Sequence, residues 1–180
     1  VVGQRGESAG IVALVFQAGA LFCAFPLDEV VETMRPLRTR PLAGTPPYVR
    51  GLAILRGAPS PVVDVTRLLT GEIGDIERYV AVRAGQGTIA CATGPVLGVQ
   101  EIDVVPPEGP VAILSGVVSK SLVAAVGRIG TDPLLLLHGI RAVPDEVWEA
   151  ASAALAAAPE AAHATETAAG RVAETAGAAG

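Results

Sequence analysis

Short apolar runs, broken every few residues by glycine or proline, fill the chain from position 11 to position 140. Their length and spacing predict strands at 11–17, 20–25, 33–39, 51–56, 60–65, 78–84, 87–92, 96–103, 112–119, 122–129 and 133–138. Short helical turns are expected at 28–32 and 65–69. With 21 Gly and 14 Pro in the chain, long helices are not expected before residue 143. Many short strands with few helical periods indicate an all-β barrel or sandwich. Residues 51–65 give the sharpest local reading: Gly51 and Gly57 bracket one apolar run, prolines enter the next at Pro59 and Pro61, and Arg56 stands where the first strand runs out.

A faint internal repeat accompanies these runs. Phe25-Pro26-Leu27-Asp28-Glu29-Val30-Val31-Glu32 follows the first hairpin, and Gly94-Pro95-Val96-Leu97-Gly98-Val99-Gln100-Glu101 follows a later one. Gly51 has a candidate counterpart in Gly116, and Pro61-Val-Val-Asp one in Pro133-Leu-Leu-Leu. Two copies of a β unit of ~65–70 residues account for these offsets.

The chain changes character after residue 143. Pro144-Asp145-Glu146 reads as a helix start, with proline at the first position and acids at the positive end of the dipole. Trp148, Ala151 and Leu155 then recur at helical spacing, one apolar stripe fit to dock on the β structure. The expected organisation is a β domain over 1–142, a helix over 143–158 and a flexible Ala/Gly/Glu tail over 159–180.

Composition narrows the function. Hydrophobic residues make up 51% of the chain and the mean hydropathy is +0.50, so a membrane span has to be considered. The longest candidate, 11–27, falls short of the ~20 apolar residues a bilayer requires and is interrupted by Gln17-Ala18-Gly19, which suits a hairpin. No basic segment precedes it, as a signal peptide would require. The net charge of −5 lies in residues 145–180, which hold six acids and one base, while 1–144 carry twelve of each. A neutral β domain has no stripe for nucleic acid. Arginines at 35, 38, 40, 50 and 56 mixed with Asp28, Glu29 and Glu32 suit a protein partner better.

Chemistry is sparse. Gly85-Gln86-Gly87-Thr88-Ile89-Ala90 matches a loose dinucleotide fingerprint, but Thr88-Ile89-Ala90-Cys91-Ala92 reads as strand rather than helix, so a hairpin tip is expected there. No serine sits in a nucleophile elbow, and neither Asp64 nor Glu32 has a spaced partner for general base work. Cys23 and Cys91 lie inside apolar runs and read as buried filler in a reduced chain. His138 reads as a strand-end residue. No catalytic residue, metal ligand or cofactor is assigned, and the expectation is a binding module rather than an enzyme.

Several pieces in order resemble the CheW-type chemotaxis coupling proteins: Leu14-Val15-Phe16 with Gly19 and Phe22, then Pro26 to Glu32, then Thr45-Pro46-Pro47-Tyr48-Val49-Arg50-Gly51, the Leu55-Arg56-Gly57 strand end, and Val96-Leu97-Gly98-Val99. Ile54, Gly94 and His138 depart from that pattern, where polar or acidic residues are frequent. The resemblance implies two intertwined five-stranded SH3-like barrels with a hydrophobic groove between them, and an adaptor without catalysis. It implies as partners the regulatory domain of a CheA-type histidine kinase and the cytoplasmic tip of a chemoreceptor, with no nucleic acid and no direct membrane insertion. The implied place of work is the cytoplasm, at receptor arrays. By position, Val30 and Glu32 fall where the family contacts receptor, and Gly51 and Arg56 in its signature strand. Arg56 could lock the barrels together, clasp a partner carboxylate or bridge a turn carbonyl. The rival readings are a CheW-like domain of a larger signalling protein, the chain starting at Val1 without methionine, a β-barrel binding a small apolar ligand in its inter-barrel groove, and an enzyme using Asp64 or Cys91.

Overall fold

A computed structural model describes residues 9–106, 122–139 and 143–156. Among these residues ten strands are formed: β1 (Ala9–Ala18), β2 (Leu21–Pro26), β3 (Val30–Met34), β4 (Val49–Leu55), β5 (Ala58–Asp64), β6 (Arg78–Ala84), β7 (Gly87–Thr93), β8 (Val96–Val105), β9 (Val123–Ile129) and β10 (Asp132–Leu137). The described residues also include two helices, α1 (Val65–Thr70) after β5 and α2 (Asp145–Ala156) after β10. The expected strand 112–119, residue Gly116 and the tail 159–180 lie outside the described residues.

The strands form two bodies. One is a closed barrel in the order β1-β2-β10-β9-β8, the other a five-stranded sheet in the order β3-β6-β7-β5-β4. The all-β expectation of paired five-stranded units holds, with the second left open between β3 and β4. Each body is assembled the same way. A hairpin (β1–β2 or β6–β7) pairs on one side with an antiparallel strand (β8 or β3), and on the other lies parallel to the second strand of another hairpin (β10 or β5). The two halves of the chain therefore repeat, and each half gives its first hairpin to one body and its next three strands to the other. Cys23 faces Leu135 as Cys91 faces Val63, which makes the cysteines counterparts and Pro61 the counterpart of Pro133. The other expected matches shift. Gly51 lies opposite Val62 and corresponds to Gly127 opposite Leu134, and Glu32 and Glu101 occupy unrelated registers.

Burial explains the hydropathy. Alternate residues of the central strands serve different cores: Ala13, Val15, Ala24, Leu134 and Leu136 fill the first barrel, and Val62, Tyr79, Ala81, Ala90 and Ala92 line the second body. Between them, Leu14, Phe16, Cys23, Phe25, Val63, Val80, Ile89, Cys91 and Leu135 build a shared core, with Phe16 and Phe25 stacked at 5.0 Å. Strands buried on both faces read as continuous apolar runs rather than alternating ones. The bodies thus pack against each other through a core of side chains. Both thiols are buried as expected, and burial raises their pKa well above the ordinary range.

Two local expectations fail for identifiable reasons. The helical turn expected at 28–32 is absent: only two turn hydrogen bonds form, Glu29 N to Pro26 O and Val30 N to Leu27 O, before the β-branched Val30-Val31 enters β3 and pairs with β6. The strand expected at 33–39 stops at Met34, two residues short of Pro36, which has no N–H to continue a ladder. The helical turn at 65–69 is present as α1, capped by Asp64, whose Oδ1 accepts from Arg67 N at 3.0 Å, and closed by Gly71 in the left-handed region.

Candidate functional site: a groove beside the arginine turn

The β4–β5 hairpin closes with the pair Leu55–Ala58, leaving Arg56 and Gly57 as a two-residue turn with φ of 48° and 82°. Positive φ at both central positions is the geometry whose twist matches the flanking strands. Gly57 adopts it freely, whereas Arg56 is the one non-glycine residue with positive φ among those described. Its guanidinium reaches Glu32 on β3, with Nε donating to Oε1 at 2.7 Å and Nη2 to Oε2 at 3.1 Å. A fork on a carboxylate is the strongest arrangement open to this pair, and it raises the arginine pKa through the hydrogen bonds first and the carboxylate charge second. The arginine side chain is 73% exposed and the glutamate 29%.

β3 and β4 are the two edges of the second body, so this ion pair spans the gap left in the sheet. Backbone bonds support it at one more point, where Arg40 and Leu52 exchange N–H···O bonds of 2.8 Å each. Gly51 permits that approach. It is buried with φ of 132°, and a Cβ there would sit 2.0 Å from the Arg40 carbonyl oxygen. The expected site residue Gly51 therefore has a defined backbone task inside the sheet.

Below the ion pair lies an open groove of about 510 Å³ between the second body and α2. Val31, Leu55 and Pro59 form its floor, Trp148 and Leu155 its far wall, and Glu32 and Arg56 its rim. α2 is held by Val147 and Ala151, both buried, by Gln86 Nε2 donating to Asp145 Oδ1 at 2.6 Å, and by Trp148 resting on Gly87, where a Cβ would be 3.1 Å from the ring. The expected stripe is thereby rotated: Val147 is the deep anchor and Leu155 stays 51% exposed. The Gly85-Gln86-Gly87 segment is a hairpin tip at the groove's end.

Of the four expected contact residues, Glu32 and Arg56 meet at this rim. Val30 turns inward against the shared core, and its neighbour Val31, left unpaired by a register shift between Val30 and Glu32, faces the groove instead. Val31 was legible only as the next residue in an apolar pair, and the bulge that presents it has no sequence signal. Other candidate groups are committed elsewhere. Asp64 caps α1 and lies 3.4 Å from Arg50, and Cys91 is sealed in the shared core. Among the described residues, no helix is long and apolar enough to cross a membrane.

Paired β bodies in this strand plan, with filled interiors and an open groove under a charged rim, define the class of fold. The CheW-like domain family matches residues 12–146, and the chain belongs to it. Protein FrzA of Myxococcus xanthus is 33% identical over 98 residues, which cover 51% of this chain and 61% of that relative, less than two-thirds of its length. Among solved structures, the scaffolding protein TtCheW of Thermoanaerobacter tengcongensis superposes with a TM-score of 0.62 at 18% identity, over 73% of this chain and 91% of the other.

Proposed function

We propose that this chain is a non-catalytic adaptor that couples a chemoreceptor to a CheA-type histidine kinase at the cytoplasmic face of receptor arrays. The observation that carries the reading is the groove itself. An apolar floor under a carboxylate–guanidinium rim suits an amphipathic helix, whose apolar face would enter while its polar side is placed by the rim. The helical tip of a receptor is such a partner, and the β bodies would meet the kinase's regulatory domain elsewhere. Membership of the CheW-like family and the fold of a scaffolding protein support the assignment.

The rivals fit less well. A small apolar ligand held in a groove needs enclosure, whereas this groove is open and carries an ion pair on its rim, and the interiors of both bodies are filled by side chains. An enzyme built on Asp64 or Cys91 would have to use a carboxylate engaged in capping a helix or a thiol kept protonated by burial.

The test is co-purification of the chain with a CheA-type regulatory domain and with a receptor tip fragment. Arg56→Ala is expected to stay folded and to retain less receptor. Glu32→Lys is expected to reduce receptor capture more than kinase capture. Capture of neither partner by the unmodified chain would overturn the assignment, and equal loss of both partners with Glu32→Lys would remove the groove from it.

A further inference from the structure

β3 is tied at two carboxylates to two different parts of the molecule. Glu32 holds the β4–β5 turn through Arg56, as described. Glu29, immediately before β3, reaches in the other direction to the end of β10 in the first barrel. Its Oε1 lies 2.5 Å from His138 Nδ1, and its Oε2 accepts from the Gly139 amide at 3.0 Å. A carboxylate can only accept, so His138 donates from Nδ1. The glutamate side chain is 14% exposed, while the imidazole is 46% exposed.

The surroundings make this junction a fixed point. Arg83 on β6 donates from its backbone N to the Glu29 carbonyl at 2.9 Å and from Nη1 to the Asp28 carbonyl at 2.5 Å. Gly139 is pressed against the same strand: a Cβ there would stand 2.7 Å from Val82 Cγ2 and 3.1 Å from the Arg83 carbonyl oxygen. The end of the first barrel meets the Glu29 carboxylate, and the second body's β6 holds the backbone carbonyls of Asp28 and Glu29 beside it. From it to Glu32 the chain passes only Val30 and the unpaired Val31.

We propose that the Glu29–His138 pair is a latch that fixes the angle between the two β bodies, and that β3 passes that angle to the Glu32–Arg56 rim. Releasing the latch loosens the rim. The inference stands on these contacts alone and holds whatever the groove binds.

The experiment uses cysteines introduced at the exposed positions Thr131 and Glu72, one in each body, carrying nitroxide labels. The native cysteines are buried and stay unlabelled. The expected distance distribution is single and narrow in the otherwise unmodified chain. It broadens in His138→Ala, which removes a half-exposed ring and spares the core, and in Glu29→Gln. In parallel, solvent exchange of the Arg56 Nε proton is expected to rise about fivefold, the factor that corresponds to one ordinary hydrogen bond's worth of stability. Unchanged distances in folded His138→Ala protein would overturn the latch. Broadened distances with unchanged Arg56 exchange would overturn its connection to the rim.

Discussion

In the first body, β8 runs ten residues and meets β9 through backbone pairing at Val104–Gly127 and Val105–Val126. In the second, β3 stops after five residues, and its gap to β4 is spanned by the Arg40–Leu52 bridge and the Arg56–Glu32 ion pair. The same strand plan is thus closed once by a strand-to-strand ladder and left open once, the gap spanned by a single backbone bridge and an ion pair. A backbone seam leaves no unpaired edge and nothing to open. A side-chain seam with a 73% exposed guanidinium is weakly held, because surface ion pairs add little net stability. The groove lies under the weaker seam, where the proposed docking of a partner would disturb the fold least.

Substitutions at the two counterpart glycines give the largest expected effect and the most direct test of this contrast. Gly51→Ala places a Cβ 2.0 Å from a carbonyl oxygen at a φ of 132°, whereas Gly127→Ala meets the Asp103 carbonyl oxygen at 2.8 Å without a left-handed φ. Urea denaturation should show a loss of about 3–5 kcal/mol for the first, from overpacking combined with backbone strain. It should show about 1–3 kcal/mol for the second, from overpacking alone. Equal losses would mean that the two seams respond alike.

The shared core should report through its thiols. Cys23 and Cys91 have folded-state pKa values raised by burial, with the Glu29 charge a smaller cause at Cys91. Below the ordinary value of 9.0 both folded and unfolded chains keep these protons, so no pH dependence arises. Above it the unfolded chain releases them and the folded chain does not, so stability falls as pH rises, by about 1.4 kcal/mol per pH unit for each thiol. Denaturation curves between pH 8 and pH 10.5 check the sign, and replacement of both cysteines by alanine should flatten the slope. The smallest effect is expected at the seam itself: Arg56→Ala should leave the urea midpoint within error while weakening receptor capture.

Much of the architecture was legible because it depends on local pattern. The apolar runs, the turn near Arg56 and Gly57, the short helix after residue 64 and the correspondence of Pro61 with Pro133 each carry a signal in neighbouring residues. What escaped depends on partners distant in sequence. Glu32 and Arg56 are joined across the sheet's two edges, and Glu29 meets His138 across the two bodies, so neither pairing has a spacing to read. The glycine correspondence was misassigned because Gly116 and Gly127 look alike in composition, and only strand register selects Gly127. The groove between the bodies was an implication of the family resemblance, and the apolar runs themselves do not disclose which of their faces stays open. Val30 and Val31 differ only by a bulge.

The crossed assembly has a consequence for biosynthesis. The second body uses only the continuous stretch from β3 to β7, but the first needs β1 and β2 to wait for β8, β9 and β10. At ordinary ribosomal speeds of roughly 5–20 residues per second, the β1–β2 ribbon is exposed for roughly 5–20 s before β10 is made. That ribbon carries Val15, Phe16 and Phe25, all sealed away in the finished molecule. During that interval the nascent chain carries an unfinished element whose apolar residues have no place to bury.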